Sequence, residues 1–148
     1  MKSEPTCYSI DDLKRDAVGM WDDVRNYQAR NFIRDDMEVG DRVLFYHSST
    51  KDVGIVGLAE IKREAYPDPT QFDATSYKCD PKSKKENPRW FSVDVAFVEK
   101  FAEPLLLAEL KNDPFFADML VVKQGMRLSV QPVVKKHYDK VVKLRSHN

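Results

Sequence analysis

The chain has 148 residues, 42% hydrophobic and 32% charged, and its 24 Lys and Arg are balanced by 24 Asp and Glu. This length and composition predict a single globular domain over residues 1–148 that buries its own core, and they exclude a chain that is basic throughout. No apolar run approaches the roughly 20 residues of a membrane helix, and Cys7 and Cys79 lack C-x-x-C spacing, so we expect a cytoplasmic protein, nuclear if eukaryotic, without a membrane segment, metal or cofactor.

Two short helices are predicted in the first quarter of the chain. Ser9 and Asp12 have the spacing of a capping box, which predicts a helix from Ile10 to about Asp16. A second helix is predicted to begin at Asn26. It would bury Ala29, Phe32 and Ile33 and present Tyr27, Arg30, Asn31 and Arg34 on another face.

A pair of strands is predicted next. The turn at Gly40 and Asp41 leads into RVLFYHSS, and residues 53–61, VGIVGLAEI, supply its partner. Gly54 and Gly57 lie inside the second strand, where glycine indicates a bend or the close approach of another backbone.

The second half of the chain begins with a long loop. Residues 65–90 contain four of the eight prolines, and loops of this length are functional or mobile in most compact domains. Residues 91–101 alternate in polarity as a half-buried strand does. We then predict a helix over 105–119 interrupted near Pro114, a short strand at 128–132, and a terminal helix over 133–144 whose inward residues are Val134, Tyr138, Val141 and Val142.

Several sequence blocks resemble the EVE domain family, in its thymocyte nuclear protein-like branch. They are KSEP (2–5), VRNYQARNF (24–32), GDRVLFYHS (40–48), GIVGLAEI (54–61), ENPRW (86–90) and RLSVQP (127–132). The resemblance implies an α+β, PUA-like fold, a bent β-pseudobarrel of about five or six strands with flanking short helices. This agrees with the small bent sheet and short helices predicted from the residues. Relatives commonly carry glycine at the position of Asp23, so a positive φ is expected there if the backbone requires it.

The stretch WDDVRNYQARNF, residues 21–32, concentrates flat side chains that suit a nucleobase. Rings can stack on a base, amides can read its edge, and guanidinium groups can meet phosphate. EVE domains are similar to YTH domains, which hold a methylated base in an aromatic cage, and Trp21 resembles a cage position. We therefore expect a non-catalytic module that recognises a modified base, either methylated or oxidised cytosine or methylated adenine, in DNA or RNA.

The predicted base pocket contains rings, amides and small polar groups. Some members have a structural alternative: Trp90 could pack the end of the barrel, Asn26 could cap the second helix, and Glu4 could form a surface salt bridge. Tyr27 and Tyr46 could each line the site or serve as core residues. For His47, hydrogen bonding within the fold is the favoured role. The full set is Ser3, Glu4, Trp21, Val24, Asn26, Tyr27, Gln28, Asn31, Tyr46, His47, Ser48 and Trp90.

Phosphate contacts are predicted from Arg25, Arg30, Lys82, Lys84, Lys85, Arg89, Arg127 and Ser129. Residues 123–148 carry seven Lys or Arg and one Asp, an asymmetry that permits a phosphate-facing surface. A solvated lysine run is the alternative for the loop cations, and a structural salt bridge is the alternative for Arg127.

Two other classes of function remain open at this stage. One is a small hydrolase of a modified nucleobase, with Lys2, Glu4 and Tyr46 as base, acid and oxyanion donor. The other is a protein-interaction adaptor with a vestigial pocket. The sequence predicts neither the oligomeric state nor the choice between DNA and RNA.

Overall fold

The computed structural model describes residues 1–147. Five strands form one mixed sheet in the order β1-β3-β4-β5-β2, in which β1 pairs parallel to β3 and the other pairs are antiparallel. This confirms the predicted α+β fold with a five-stranded sheet. The strands are β1 (Lys2–Ser3), β2 (Val18–Trp21), β3 (Arg42–His47), β4 (Gly54–Pro67) and β5 (Phe91–Leu106).

The two central strands are long and bent. Four register shifts interrupt the β4 and β5 pairing, and such irregularities bend a strand and increase its twist. A Cβ at Gly54 would lie 2.4 Å from the Leu105 carbonyl oxygen, and one at Gly57 would lie 2.3 Å from the Glu99 carbonyl oxygen. The predicted close backbone approach at both glycines is confirmed.

The α-helices are α1 (Ile10–Asp16), α2 (Tyr27–Asp35), α3 (Leu107–Asn112) and α4 (Lys135–Arg145). The capping box at Ser9 and Asp12 is formed in both directions, and the Asn26 side chain caps α2. Short 3-10 turns occur at Pro69–Phe72, Pro114–Phe116 and Leu120–Val122. No helix within residues 1–147 is long and apolar enough to span a bilayer.

Alternate residues of β3 supply two core clusters on opposite faces of the sheet. Val43 and Phe45 belong to the first cluster, with Ile10 and Leu13 of α1 and Ala29 and Ile33 of α2. Leu44 and Tyr46 belong to the second cluster, with Leu110 of α3 and Val141 of α4. Because both faces of β3 are covered, its four central residues are all buried.

Several predicted elements differ from the structure. Strand β2 was not predicted, and β4 continues six residues past 61 through a charged segment. Residues 128–132 form no strand; the Ser129 carbonyl accepts a hydrogen bond from the Lys2 amide at 2.7 Å. The region 105–119 begins inside β5 and α3 covers only residues 107–112, but the predicted interruption near Pro114 is confirmed, since a 3-10 turn begins there. Val134 precedes α4 and is 55% exposed, so the prediction that it faces inward was wrong.

Candidate functional site

Trp21 lies at the end of β2, on an edge of the sheet, where it pairs with Val93 of β5. Its indole is partly buried and meets the Phe45 ring at nearly a right angle, with centroids 5.6 Å apart. Phe45 in turn meets the His47 imidazole edge to face at 5.8 Å. The curvature of the sheet therefore places the edge residue Trp21 in one row of rings with two residues of β3.

Ser3, His47 and Ser48 come together at the end of β1 and β3. Ser3 pairs with His47 in the parallel ladder, and the Ser48 amide donates to the Ser3 carbonyl at 3.0 Å. The Ser3 hydroxyl donates to the Tyr8 carbonyl at 2.6 Å. Through Phe45, these predicted pocket residues are linked to Trp21.

His47 is an internal hydrogen-bond acceptor, as predicted. Its Nε2 accepts the Ile10 amide at 3.1 Å, at the start of α1. Burial lowers the pKa of His47, which favours the neutral imidazole that this hydrogen bond needs.

Asp68, which sequence reasoning missed, fixes the segment that follows Trp21. Its fully buried carboxylate accepts hydrogen bonds from the Asp23 amide at 2.9 Å, from Arg25 at 3.0 Å and from the Thr70 amide and hydroxyl at 2.8 and 2.6 Å. Burial raises the pKa of Asp68, but these hydrogen bonds outweigh burial and hold the pKa below its ordinary value. The signal in the sequence was Asp-Pro-Thr, the start of a 3-10 turn.

The backbone at Asp23 has φ 62°, as expected from the glycine in relatives. The next charged residue, Arg25, also donates to the Thr70 hydroxyl at 3.1 Å and to the Lys78 carbonyl at 2.7 Å. Because these guanidinium donors are used within the fold, Arg25 stabilises the long loop, and the structure does not support its predicted phosphate contact.

Trp90 and Tyr27 form a stacked pair outside the row of rings. Trp90 is only 6% exposed, its Nε1 donates to Asp80 at 2.7 Å, and its ring stacks on Tyr27 with centroids 4.9 Å apart. The Arg30 guanidinium lies 4.8 Å from the Tyr27 ring centroid and donates to the Arg89 carbonyl at 2.7 Å. The structure thus favours the packing role for Trp90. It also ties the Arg30 guanidinium to neighbouring residues of the fold, so it does not support the predicted phosphate contact of Arg30.

The side-chain amides of Asn26 and Asn31, at the start and on the surface of α2, already accept hydrogen bonds within the fold. The side-chain oxygen of Asn26 accepts the Ala29 amide at 3.1 Å, and the side-chain oxygen of Asn31 accepts from the Arg30 guanidinium at 2.8 Å. Both side chains retain an amino group as a donor. Gln28 is exposed, whereas Val24 is 4% exposed and belongs to the first core cluster.

Tyr46 does not join Trp21. It is buried in the second core cluster, on the opposite face of β3 from Phe45. Burial raises the pKa of Tyr46 to about 12, and the Lys2 ammonium lies 5.9 Å from its ring centroid. The structure therefore favours a core role for Tyr46 and does not support its predicted place in the base pocket with Trp21.

The remaining predicted residues are spread over the surface. Glu4 is exposed and forms no ion pair with any residue of 1–147; its carboxylate accepts from the Cys7 thiol at 3.8 Å. Arg89 approaches Asp80 at 4.0 Å. Lys82, Lys84, Lys85 and Arg127 are exposed, and Ser129 is partly buried.

Two cavities lie elsewhere on the domain. One of about 620 Å³ lies between β3 and α4, lined in part by Met1, Leu44 and Tyr138, and one of about 450 Å³ lies beside Tyr46. Trp21 lines neither of these two cavities. In the described part of the chain, no three His, Cys, Asp or Glu are arranged to hold a metal ion.

The sequence is similar to known proteins over nearly its whole length. Human thymocyte nuclear protein 1 is 43% identical over 164 aligned residues, which cover 97% of this chain and 72% of that protein. The zebrafish protein of the same name is 41% identical, over 100% of this chain and 71% of its own length.

Solved structures agree with this similarity. A Pseudomonas syringae protein of 44% identity superimposes with a TM-score of 0.93, over 97% of this chain and 96% of the other. The human THYN1 protein, in a crystal structure with DNA containing 5-methylcytosine, superimposes with a TM-score of 0.88 at 41% identity, over 100% of this chain and 96% of the other. The EVE domain family matches residues 1–144, and the chain belongs to that family.

Proposed function

We propose that this chain is a nucleic-acid-binding module that recognises 5-methylcytosine in DNA. The observation that carries the proposal is the similarity, over the entire chain, to the human THYN1 protein in complex with DNA containing 5-methylcytosine, at 41% identity and a TM-score of 0.88. Oxidised cytosine, methylated adenine and RNA then become competing ligands to be tested against 5-methylcytosine.

Trp21 supports this proposal by its position. Stacking of one base on an aromatic ring contributes about 1–3 kcal/mol and tolerates any base. Trp21 is only partly buried, at the end of an edge strand, so the exposed part of its indole is the proposed surface for a base. Extruding a base from a duplex costs a few kcal/mol, so stacking on Trp21 offsets much of that cost.

Discrimination of the base has to come from its edge and its methyl group. The amino groups of Asn26 and Asn31, with Ser3, Glu4 and Ser48, are the proposed edge-reading groups. One methyl group is worth only about 1–3 kcal/mol of discrimination, or about 10- to 200-fold. We therefore expect a moderate preference for 5-methylcytosine over cytosine.

In this role the chain binds the modified base and catalyses no reaction on it. The hydrolase alternative requires Tyr46 and Glu4 to act on one bound base. Tyr46 lies on the opposite face of β3 from the row of rings, so this set would not act on a base stacked on Trp21.

Titration of matched oligonucleotides tests the proposal. Duplex and single-stranded DNA with one central 5-methylcytosine, cytosine, 5-hydroxymethylcytosine or N6-methyladenine, and the RNA equivalents, are titrated by calorimetry at two salt concentrations. We expect 5-methylcytosine in DNA to bind at least about 10-fold more tightly than cytosine. Equal affinities would contradict the proposal, absence of saturable binding would favour the adaptor alternative, and a modified product in the recovered oligonucleotide would favour the hydrolase.

A further inference from the structure

A groove on the other face of β3 collects positive charge. It has a volume of about 450 Å³, and its lining includes Lys2, Lys111, Lys123 and Arg127 around Tyr46, without any Asp or Glu. We call this surface the basic groove. Four cations lining one groove with no acidic residue produce a positive potential that attracts anions.

The basic groove is assembled from three separate parts of the chain. Lys2 comes from β1 and Lys111 from the last turn of α3, while Lys123 and Arg127 flank the turn that follows the last 3-10 segment. None of the four forms an ion pair within residues 1–147. By contrast, Arg25, Lys78 and Lys140 are each paired with an aspartate at 2.8–3.0 Å. The fold therefore neutralises several buried or half-buried cations but leaves this group available to an external anion.

Lys2 lies partly buried in the groove wall. Its ammonium donates to the Met126 carbonyl at 3.4 Å and lies 5.9 Å from the Tyr46 ring centroid. Partial burial lowers the pKa of Lys2. A nearby phosphate would favour the charged ammonium and relieve that desolvation, which is the response expected of an anion-binding lysine.

The basic groove adjoins the row of rings through β1 and β3. Lys2 is followed by Ser3, which pairs with His47, and Tyr46 is followed by His47. Strand β1 is an edge of the sheet, and neighbouring residues of a strand are only about 3.3 Å apart along it. A nucleic-acid strand that crosses this edge can contact both the groove and the neighbouring pair Ser3 and His47, and the His47 ring is linked to Trp21 through the Phe45 ring.

We propose that the basic groove binds the sugar-phosphate backbone of the nucleic acid whose modified base lies at Trp21. This inference rests on the proposed function and identifies its electrostatic contact surface. It adds Lys2, Lys111 and Lys123 to the predicted Arg127, and it makes the exposed run Lys82, Lys84 and Lys85 dispensable.

Two variants of equal charge change test this inference. The groove variant is Lys111→Gln, Lys123→Gln and Arg127→Gln, and the control variant is Lys82→Gln, Lys84→Gln and Lys85→Gln. All six residues are exposed, so both variants should fold, which circular dichroism and thermal unfolding would verify. Affinity for methylated and unmethylated DNA is measured over a series of salt concentrations.

We expect the groove variant to weaken binding to both DNAs by the same factor. Because each phosphate contact contributes about 0.7–0.9 to the slope of log affinity against log salt, three lost contacts should reduce that slope by about 2–3. The preference for 5-methylcytosine should not change. The control variant should retain a slope within about one unit of the wild type.

The outcomes separate this inference from the proposed function. If the wild type prefers 5-methylcytosine but the groove variant keeps the wild-type slope, the groove inference is overturned and the reader function stands. The inference is also overturned if the control variant, and not the groove variant, shows the reduced salt dependence of binding. If the wild type shows no preference but the groove variant loses salt-dependent binding, the groove inference stands and the proposed reader function fails. Absence of binding to any DNA overturns both.

Discussion

The buried carboxylate of Asp68 accepts a hydrogen bond from the Arg25 guanidinium at 3.0 Å and thereby joins the long loop to the segment that follows Trp21. Asp68 is fully buried, whereas the Arg25 side chain is 24% exposed. The same carboxylate receives the Asp23 amide at the residue with positive φ. The geometry of the proposed base site therefore depends on a residue 47 positions away from Trp21 in the sequence.

We expect Asp68→Ala to lower the free energy of unfolding by about 2–4 kcal/mol, since it leaves buried donors without an acceptor and breaks a largely buried ion pair. Asp73 offers a matched control, because it accepts from the Thr75 amide and hydroxyl as Asp68 does from Thr70, but it is exposed. Asp73→Ala should cost about 1 kcal/mol or less. Urea unfolding of both variants measures the difference, and equal losses would contradict the stabilising role of Asp68.

Local signals in the sequence predicted much of the fold. Helix α1 has the predicted bounds because Ser9 and Asp12 determine its start by short-range hydrogen bonds. Asn26 begins the second helix for the same reason, and the glycines of β4 mark close backbone contacts. Such features depend on a few neighbouring residues, which is why one sequence suffices to find them.

Features that depend on long-range pairing were missed. Strand β2 is four residues long and contains Gly19, so it has little strand propensity and forms by pairing with β5. The charged segment after Ile61 stays in β4 because β5 continues beside it. Successive residues of β3 face opposite sides of the sheet, so Tyr46 lies away from Phe45 and from Trp21. Because a core cluster covers each side, hydrophobicity alone does not tell which residues of β3 belong to which cluster.

Asn26 has a helix-capping role and a proposed base-reading role that one substitution separates. Asn26→Ser retains a capping oxygen, and Ser and Asn cap helices about equally well, so stability should change by less than about 0.5 kcal/mol. The substitution removes the amide amino group, so we expect the affinity for 5-methylcytosine DNA to fall about 5-fold or more. Thermal unfolding and calorimetry measure the two effects. An unchanged affinity would contradict the base-reading role of Asn26 and leave it only the role of a helix cap.

His47 predicts a pH dependence of stability. Burial lowers its pKa in the folded protein below the ordinary value of 6.5, so below pH 6.5 the unfolded chain binds more protons than the folded chain. The contribution of neutral His47 to the free energy of unfolding is therefore complete above pH 6.5. It declines as the pH falls toward the folded-state pKa, by at most about 1.4 kcal/mol per pH unit. The measurement is the urea midpoint between pH 7.5 and 5 for the wild type and His47→Gln. Identical pH profiles for the two proteins would contradict this role of His47.

The affinity of Trp21→Ala for methylated and unmethylated DNA tests the proposed function most directly. Loss of stacking should weaken binding to 5-methylcytosine DNA by about 1–3 kcal/mol, or about 5- to 150-fold, and reduce the preference over cytosine, while Trp21→Phe should lose less. Trp90→Phe is the matched control, because Trp90 is buried under Tyr27, and it should keep the preference. A folded Trp21→Ala variant with wild-type affinity and preference would contradict the role of Trp21 as the base-stacking residue.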